Sequence, residues 1–261
     1  MKPNRWENRL LRRLAWIAAL GIAWQLTAAF GKVNPALLPP PRAVWQALAA
    51  AWDSGEMIRA IVLSLWLIGK GLLIGTAAAL LLATLGMTHR LAYSLVDTMT
   101  ALAHPLPGIA MLPVIILWLG TGSDAVVFII VHSVVWPLVL NLLTGFRSIP
   151  RIYREIGQNL GLDPARSTGF ILIPASFPYL LAGLKIGWAR AWRALISAEM
   201  IFGAVGGEGG LGWFIFKRRV FMDTAGIFAG MLIIVLIGLL VEDLFFESLE
   251  QNTVKRWGMT V

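Results

Sequence analysis

The 261-residue sequence is 58% hydrophobic and 14% charged, with a mean hydropathy of +0.75 and a formal net charge of +8. Soluble domains carry about 25% charged residues, so this composition excludes a mainly soluble protein and indicates a polytopic membrane protein. The lack of cysteine excludes disulfides and cysteine metal sites, and the three histidines are too far apart in sequence to suggest a metal site.

The apolar segments predict an all-α protein with about six transmembrane helices, because a crossing takes about 20 apolar residues. These segments are residues 14–30, 58–85, 91–120, 125–146, 177–202 and 225–245. The basic N-terminus precedes the first segment without a small-residue cleavage site, which predicts a retained helix. Three prolines at 39–41 lead into residues 42–53, an amphipathic stretch too short to span, for which we expect an interfacial helix.

Glycines and prolines mark special features of the second and third segments. Gly69, Gly71 and Gly75 would allow close helix approach in the second segment. The third is interrupted by the His-Pro-Leu-Pro-Gly sequence at 104–108. Prolines free backbone carbonyls, which at membrane depth are tolerated where they face protein or a water-filled path.

Residues 154–174 form a polar connection between the fourth and fifth segments. They predict a helix, a glycine break at Gly161 and a second helix, with Asp163 as its cap and Pro164 at its first position. A glycine-rich link at 203–212 follows the fifth segment and precedes the basic cluster Lys217-Arg218-Arg219.

The distribution of lysine and arginine predicts the orientation. With the N-terminus inside, twelve of the 22 basic residues lie on the inner side and six on the outer side. The same rule explains the positive net charge without a nucleic-acid partner. This orientation places residues 154–174 in the cytoplasm.

The polar connection resembles the EAA motif of ABC-importer permeases. Glu155 is followed six residues later by Gly161, and Pro174 comes thirteen residues after that glycine. Ile156 and Gly157 depart from the two alanines of the motif, and Leu162 replaces the usual alanine after the glycine. The stretches LPPPRAVWQAL, HPLPGIAMLP, WLGTG, PASFPYLLAGLKIGW, SAEMI and GGLGW, with Asp97, are similar to the nitrate/sulfonate/taurine branch and extend the resemblance over most of the chain.

The resemblance implies a type I ABC importer permease fold in which residues 154–174 form a cytoplasmic coupling helix. The residues implied in ATPase coupling are Glu155, Gly157, Gly161, Leu162, Asp163 and Pro174. The implied partners are a second copy of the chain, two cytoplasmic ATPase subunits and a periplasmic or lipid-anchored substrate-binding protein, in a bacterial inner membrane. The sequence has no GxxxxGK[ST] phosphate loop. ATP and Mg are therefore expected on the ATPase, and this chain is expected to be a transport subunit without its own cofactor rather than an enzyme.

Two arginines lie in the middle of the fifth segment, where ionisable residues are costly and are functional candidates. Arg193 is about 4.5 Å beyond Arg190 and about 60° round the helix, and Ser197 continues that face. Guanidinium groups bind carboxylate, sulfonate or phosphate, which favours an anion path. Internal pairing with Glu199, Glu242 or Asp243, and snorkelling, remain alternatives.

Other residues carry open alternatives. Lys70 is either the counterpart of an arginine that the resembled family often has about three residues earlier, where this chain has Leu67, or a second anion contact. His104 either coordinates substrate or forms hydrogen bonds with the carbonyls that the prolines free. Trp192 either flanks a substrate or packs, and His132 is interpreted as a satisfied interior histidine. The basic cluster at 217–219 either attracts an anion or a binding protein, or is a solvated face.

The sequence therefore predicts an importer permease for a small organic anion, such as taurine, an alkanesulfonate or an aromatic acid. Nitrate, bicarbonate, cyanate or a vitamin precursor is the alternative cargo. An ion-coupled secondary transporter and a membrane enzyme are rivals of another class. The substrate and the choice between homodimer and heterodimer stay open.

Overall fold

Helices account for most of the chain. The computed structural model describes residues 5–31, 33–167, 170–171, 173–203 and 209–258. None of these residues forms a β-strand. The all-α fold class is therefore confirmed.

Eleven helices are used in the description below. They are α1 (Arg5–Phe30), α2 (Pro41–Asp53), α3 (Glu56–Gly86), α4 (Arg90–Ala103), α5 (Leu112–Leu119), α6 (Ser123–Ser148), α7 (Arg151–Asn159), α8 (Pro164–Ser167), α9 (Ile173–Phe202), α10 (Leu211–Val220) and α11 (Thr224–Leu240). A 3₁₀ turn, Gly108–Met111, precedes α5, and helical winding continues from α11 to Lys255 through two π-helical stretches.

Four described helical stretches are long and apolar enough to cross a membrane. They are Leu11–Phe30, Glu56–Gly86, Ser123–Ser148 and Thr224–Lys255. Helices α4 and α5, bent by 87° at the proline-containing break, make a fifth if they are one span. Helix α9 is 30 residues long but carries four ionisable residues, which lower its hydropathy. The chain is a multi-pass membrane protein, and the count of six spans stays a prediction.

Helix α6 occupies the centre of the bundle and packs against α3 and α9. Small residues allow the close approach: a Cβ on Gly71 would lie 2.3 Å from Ile130 Cγ2, and one on Gly75 would lie 2.9 Å from Val134 Cβ. Gly69 differs, because a Cβ there would meet no atom within 4 Å. Two of the three glycines predicted to permit close packing therefore do so.

The bundle has two distinct ends. The α7 end contains α7, α8 and the end of α6, whereas the α10 end contains α10 and the starts of α3 and α11. At the α10 end, Arg218 bridges Glu56 at 2.6 Å and Asp223 at 2.9 Å. Residues 168–169 and 172 of the predicted coupling loop, and 204–208 of the glycine-rich link, lie outside the described residues.

Several helices extend beyond the predicted segments, among them α9 and the last helix. Helix α9 begins at Ile173, because Pro174 fits the first turn of a helix, where a backbone N–H has no partner to lose. The last helix continues ten residues past 245 to Lys255. Its first charges are neutralised: Glu242 lies 3.9 Å from Lys185, and Asp243 lies 2.5 Å from Arg13.

Candidate functional site

The segment between α6 and α9 consists of the two short helices α7 and α8, joined by a turn at Gly161. Gly161 has a φ of +66°, which favours glycine. Its N–H donates to the carbonyl of Gln158 at 2.9 Å, and the Leu162 N–H donates to the carbonyl of Gly157 at 3.0 Å, which is a Schellman motif. The Asp163 carboxylate then accepts from the Arg166 N–H at 2.9 Å and caps α8. The turn thus sets a defined angle between two short helices.

Gly157 is the point where these two helices touch. It is buried, and a Cβ there would lie 2.6 Å from Ser167 Oγ. This contact gives a physical reason for a small residue at the third position of the motif. Pro174 is the second residue of α9, and Glu155 is exposed on α7.

Helix α7 also presents an apolar stripe that the sequence analysis missed. Ile152, Ile156 and Leu160 repeat every four residues, and they are 54%, 43% and 69% exposed. The i, i+4, i+8 spacing is readable in the sequence and places them on one face. An exposed apolar stripe on a helix outside the membrane spans makes this face a candidate surface for a protein partner.

A second candidate site is a pocket between α9 and the break after α4. Its volume is about 260 Å³. Its lining residues are Pro107, Gly108, Ile109, Ser133, Arg190, Arg193, Ala194 and Ser197. The structure therefore brings the Arg190, Arg193 and Ser197 face to the proline break.

Arg190 is tied to the broken end of α4. Its Nη2 donates to the carbonyl of His104 at 3.0 Å, and its Nη1 lies 3.3 Å from each ring nitrogen of His104. A guanidinium at the C-terminus of a helix also favourably meets the negative end of the helix dipole. Here the arginine, rather than the histidine ring, satisfies the freed carbonyl.

Arg193 is held less tightly. Its Nε donates to the carbonyl of Ala189 at 3.0 Å, and the side chain is exposed to the pocket. Among the described residues, neither Arg190 nor Arg193 forms an ion pair with an acidic side chain. The only hydrogen bond that Arg193 donates to a described residue is the one from Nε, so its Nη1 and Nη2 groups are available to a ligand.

Three other candidate residues lie away from this pocket lining. Lys70 lies 3.8 Å from Asp124, at the start of α6. Trp192 is buried and stacks on Trp188, with ring centroids 5.6 Å apart. His132 is packed edge-to-face against Trp136, and neither of its ring nitrogens has a hydrogen-bond partner among the described residues.

Glu199 forms hydrogen bonds with α3 and α10 instead of an ion pair with Arg190 or Arg193. Its carboxylate accepts the Ser64 hydroxyl at 2.8 Å and the Gly212 N–H at 2.8 Å, and the Ser64 Oγ accepts the Leu211 N–H at 2.9 Å. The side chain is 1% exposed. This cluster joins α3, α9 and the start of α10 beside the α10 end.

Residues 71–255 match the family described as the binding-protein-dependent transport system inner membrane component. The chain belongs to this family. A putative ABC transporter permease of Methanocaldococcus jannaschii is 30% identical over 90% of this chain and 88% of its own length. A putative aliphatic sulfonates transport permease of Escherichia coli is 27% identical, with coverage of 95% and 93%. A nitrate import permease of Synechocystis is 26% identical, with 95% of each chain covered.

The matched region contains every feature of the two candidate sites. It includes the Gly161 turn, the break at His104 and the arginines of α9. The chain is therefore an ABC transporter permease, a transport subunit rather than an enzyme. Permeases of this family work with a separate ATPase and a substrate-binding protein. The roles of the individual site residues stay predictions.

Proposed function

We propose that this permease carries a small organic anion, a sulfonate or a carboxylate, through a path lined by Arg193. The single observation that carries the proposal is the pocket of about 260 Å³ in which Arg193 and Ser197 face the proline break. Guanidinium Nη groups suit planar or tetrahedral oxyanions, because two parallel N–H donors reach two oxygens.

The two arginines take different parts in this proposal. Arg190 holds the end of α4 through the His104 carbonyl and keeps the break open toward the pocket. Arg193, with its Nη groups unused by the described residues, contacts the anion. Ser197, one turn further along the same face, adds a hydroxyl donor.

The driving force is proposed to come from the α7 end. The exposed stripe of Ile152, Ile156 and Leu160, with Glu155 beside it, docks on a cytoplasmic ATPase that binds ATP and Mg. The Gly161 turn passes closure of the ATPase to α9, which carries both arginines. The N-terminus is inside in this arrangement.

The full assembly is proposed to be a homodimer of this chain with two ATPases and a periplasmic or lipid-anchored binding protein. A two-fold assembly presents four arginines of α9 to the path. The binding protein delivers the anion at the α10 end, where Arg219 is exposed, while Lys217 and Arg218 are engaged with Glu56.

Nitrate is the second candidate cargo. The nitrate import permease among the relatives supports it, and a planar nitrate presents two oxygens to a guanidinium in the same geometry as a carboxylate. No described contact favours bicarbonate, cyanate or a vitamin precursor over these anions. The family match weighs against an ion-coupled secondary transporter.

The test is a ligand screen on the binding protein encoded beside this permease, followed by uptake. Thermal shifts with sulfonates, carboxylates, nitrate and cationic vitamin precursors identify the cargo class. Selective binding of a sulfonate or carboxylate is expected. A binding protein that responds only to a neutral or cationic compound would overturn the anion proposal.

A further inference from the structure

A pocket of about 320 Å³ lies at the α7 end, where the membrane-spanning helices finish. It is enclosed by the end of α3, the start of α4 and the end of α6. Its lining residues are Gly86, Met87, His89, Arg90, Tyr93, Leu143, Phe146 and Arg147. The pocket is separate from the arginine pocket of α9 and shares no lining residue with it.

The polar lining of this pocket is basic. Arg90 and Arg147 form no ion pair with the described residues, so both guanidinium groups are available to an anion in the pocket. The Arg147 guanidinium carbon lies over the Tyr93 ring, 3.9 Å from its centroid. This cation–π contact uses none of the N–H donors of Arg147, and no described residue accepts a hydrogen bond from them.

His89 adds a ring nitrogen to the lining. Its Nδ1 accepts the Ala92 N–H at 3.3 Å, as the cap of α4. With Nδ1 occupied as an acceptor, Nε2 is the nitrogen that can donate to a ligand. The nearest acidic group on α4, Asp97, is held by the Tyr93 hydroxyl at 3.2 Å, a turn beyond Tyr93 and outside the lining.

Apolar side chains complete the lining of the pocket. Met87, Leu143 and Phe146 lie in the same lining as the two arginines. The apolar stretch of α3 ends at Gly86, which also lines the pocket, so we expect the arginines near the lipid headgroups. Cations at that level with apolar side chains beside them suit the phosphate and the apolar part of a phospholipid.

We propose that this pocket binds the phosphate of an anionic phospholipid, with the apolar part of the lipid against Met87, Leu143 and Phe146. Basic pockets between transmembrane helices are known lipid headgroup sites. A docked ATPase subunit is the less favoured occupant, because the lining residues of α3 and α6 belong to membrane-spanning helices. The site holds α3, α4 and α6 together at the end of the bundle next to the segment that contains Gly161.

The test is lipid retention by the purified protein, measured by native mass spectrometry in detergent supplied with phosphatidylglycerol. The variants are Arg90→Gln, Arg147→Gln and the double substitution. Arg256→Gln is the control, because Arg256 is an exposed arginine at the same end with no ion pair among the described residues. Thermal unfolding of each variant checks that it is folded. If Arg147→Gln does not fold, Arg90→Gln still tests the proposal, because Arg90 makes no stacking contact with Tyr93 that its loss could disturb.

Each arginine is expected to contribute about fivefold in phosphatidylglycerol affinity. Arg256→Gln should retain lipid as the unsubstituted protein does. Equal retention by the double variant, or an equal loss in Arg256→Gln, would overturn the proposal. Inorganic phosphate and glycerol phosphate are the soluble probes, and binding of either as tightly as phosphatidylglycerol would assign the pocket to a free phosphate instead.

Discussion

The backbone N–H of Gly212 donates to the carboxylate of Glu199 across 2.8 Å, inside a cluster from which solvent is excluded. The contact joins the end of α9 to the start of α10, and Ser64 adds α3. Glycine is required on the α10 side: a Cβ on Gly210 would lie 2.0 Å from Glu199 Oε1, and one on Gly212 would lie 2.2 Å from the Ile196 carbonyl oxygen. The carboxylate thus fixes how α10 is seated on the bundle.

Removal of this carboxylate should destabilise the protein. Glu199→Ala leaves the Gly212 N–H and the Ser64 hydroxyl buried without an acceptor, which should cost about 2–3 kcal/mol in the free energy of unfolding. Glu199→Gln keeps one acceptor oxygen and should cost about 1 kcal/mol. Thermal unfolding in detergent, followed by tryptophan fluorescence, measures both. Asp53→Asn, at an exposed position with no ion pair among the described residues, is the control. An unfolding temperature for Glu199→Ala equal to that of the control would contradict the assignment.

A pair of glycines on α3 offers a matched test of helix packing. Gly71→Ala puts a methyl group 2.3 Å from a fully buried Ile130, and should lower the free energy of unfolding by about 1–3 kcal/mol. Gly69→Ala meets open space and should stabilise the helix by up to about 1 kcal/mol. The same unfolding measurement compares the two. A loss in Gly69→Ala as large as that in Gly71→Ala would show that α3 is rotated from the orientation described.

The sequence predicts correctly those features whose residues lie close together along the chain. Arg190, Arg193 and Ser197 share a face because their spacing follows the helical period, and the Gly161 turn is encoded within ten residues. It cannot show that Arg190 reaches the His104 carbonyl, 86 positions away. Nor can it show that Glu199 meets Ser64 at a separation of 135 positions rather than an arginine on its own helix. It also treated Gly69 and Gly71 alike, since the rotation of α3 depends on its packing against α6.

The Gly161 turn should be required for attachment of the ATPase. Gly161→Val places a β-branched residue at a φ of +66°, which costs about 1–2 kcal/mol and favours another turn. The expected result is loss of ATPase copurification or of substrate-stimulated ATP hydrolysis. Gly258→Val is the control: it has a φ of +72° and open space around it, but lies outside α7. Wild-type coupling in Gly161→Val would count against the role of this turn.

The apolar stripe of α7 should be required for ATPase association, as the Gly161 turn is. Ile156→Asp and Leu160→Asp place a charge in a surface proposed to be dehydrated on docking, and should weaken ATPase association at least tenfold. Gln158→Asp lies on the other face of the same short helix and controls for charge. Pull-down of the ATPase at graded concentrations measures the effect. Equal weakening by all three variants would place the docking surface elsewhere.

The two arginines of α9 should differ in their effects. Arg193→Ala removes the anion contact and should lower the uptake rate by about 10–100-fold, while basal ATP hydrolysis and thermal stability remain. Arg190→Ala also leaves the half-buried His104 carbonyl without its donor and should reduce both stability and uptake. Uptake and unfolding are measured on the same preparations, with Arg42→Ala as an exposed control. Identical losses of stability in Arg190→Ala and Arg193→Ala would contradict this division of roles.

The most direct measurement is uptake into proteoliposomes that contain the permease, its ATPase and its binding protein, with the anion identified by the ligand screen. We predict accumulation that requires ATP on the side of the membrane where the ATPase is bound. Its rate should fall by about 10–100-fold in Arg193→Ala, while that variant still hydrolyses ATP. Accumulation driven by an ion gradient without ATP, or wild-type uptake by Arg193→Ala, would contradict the account.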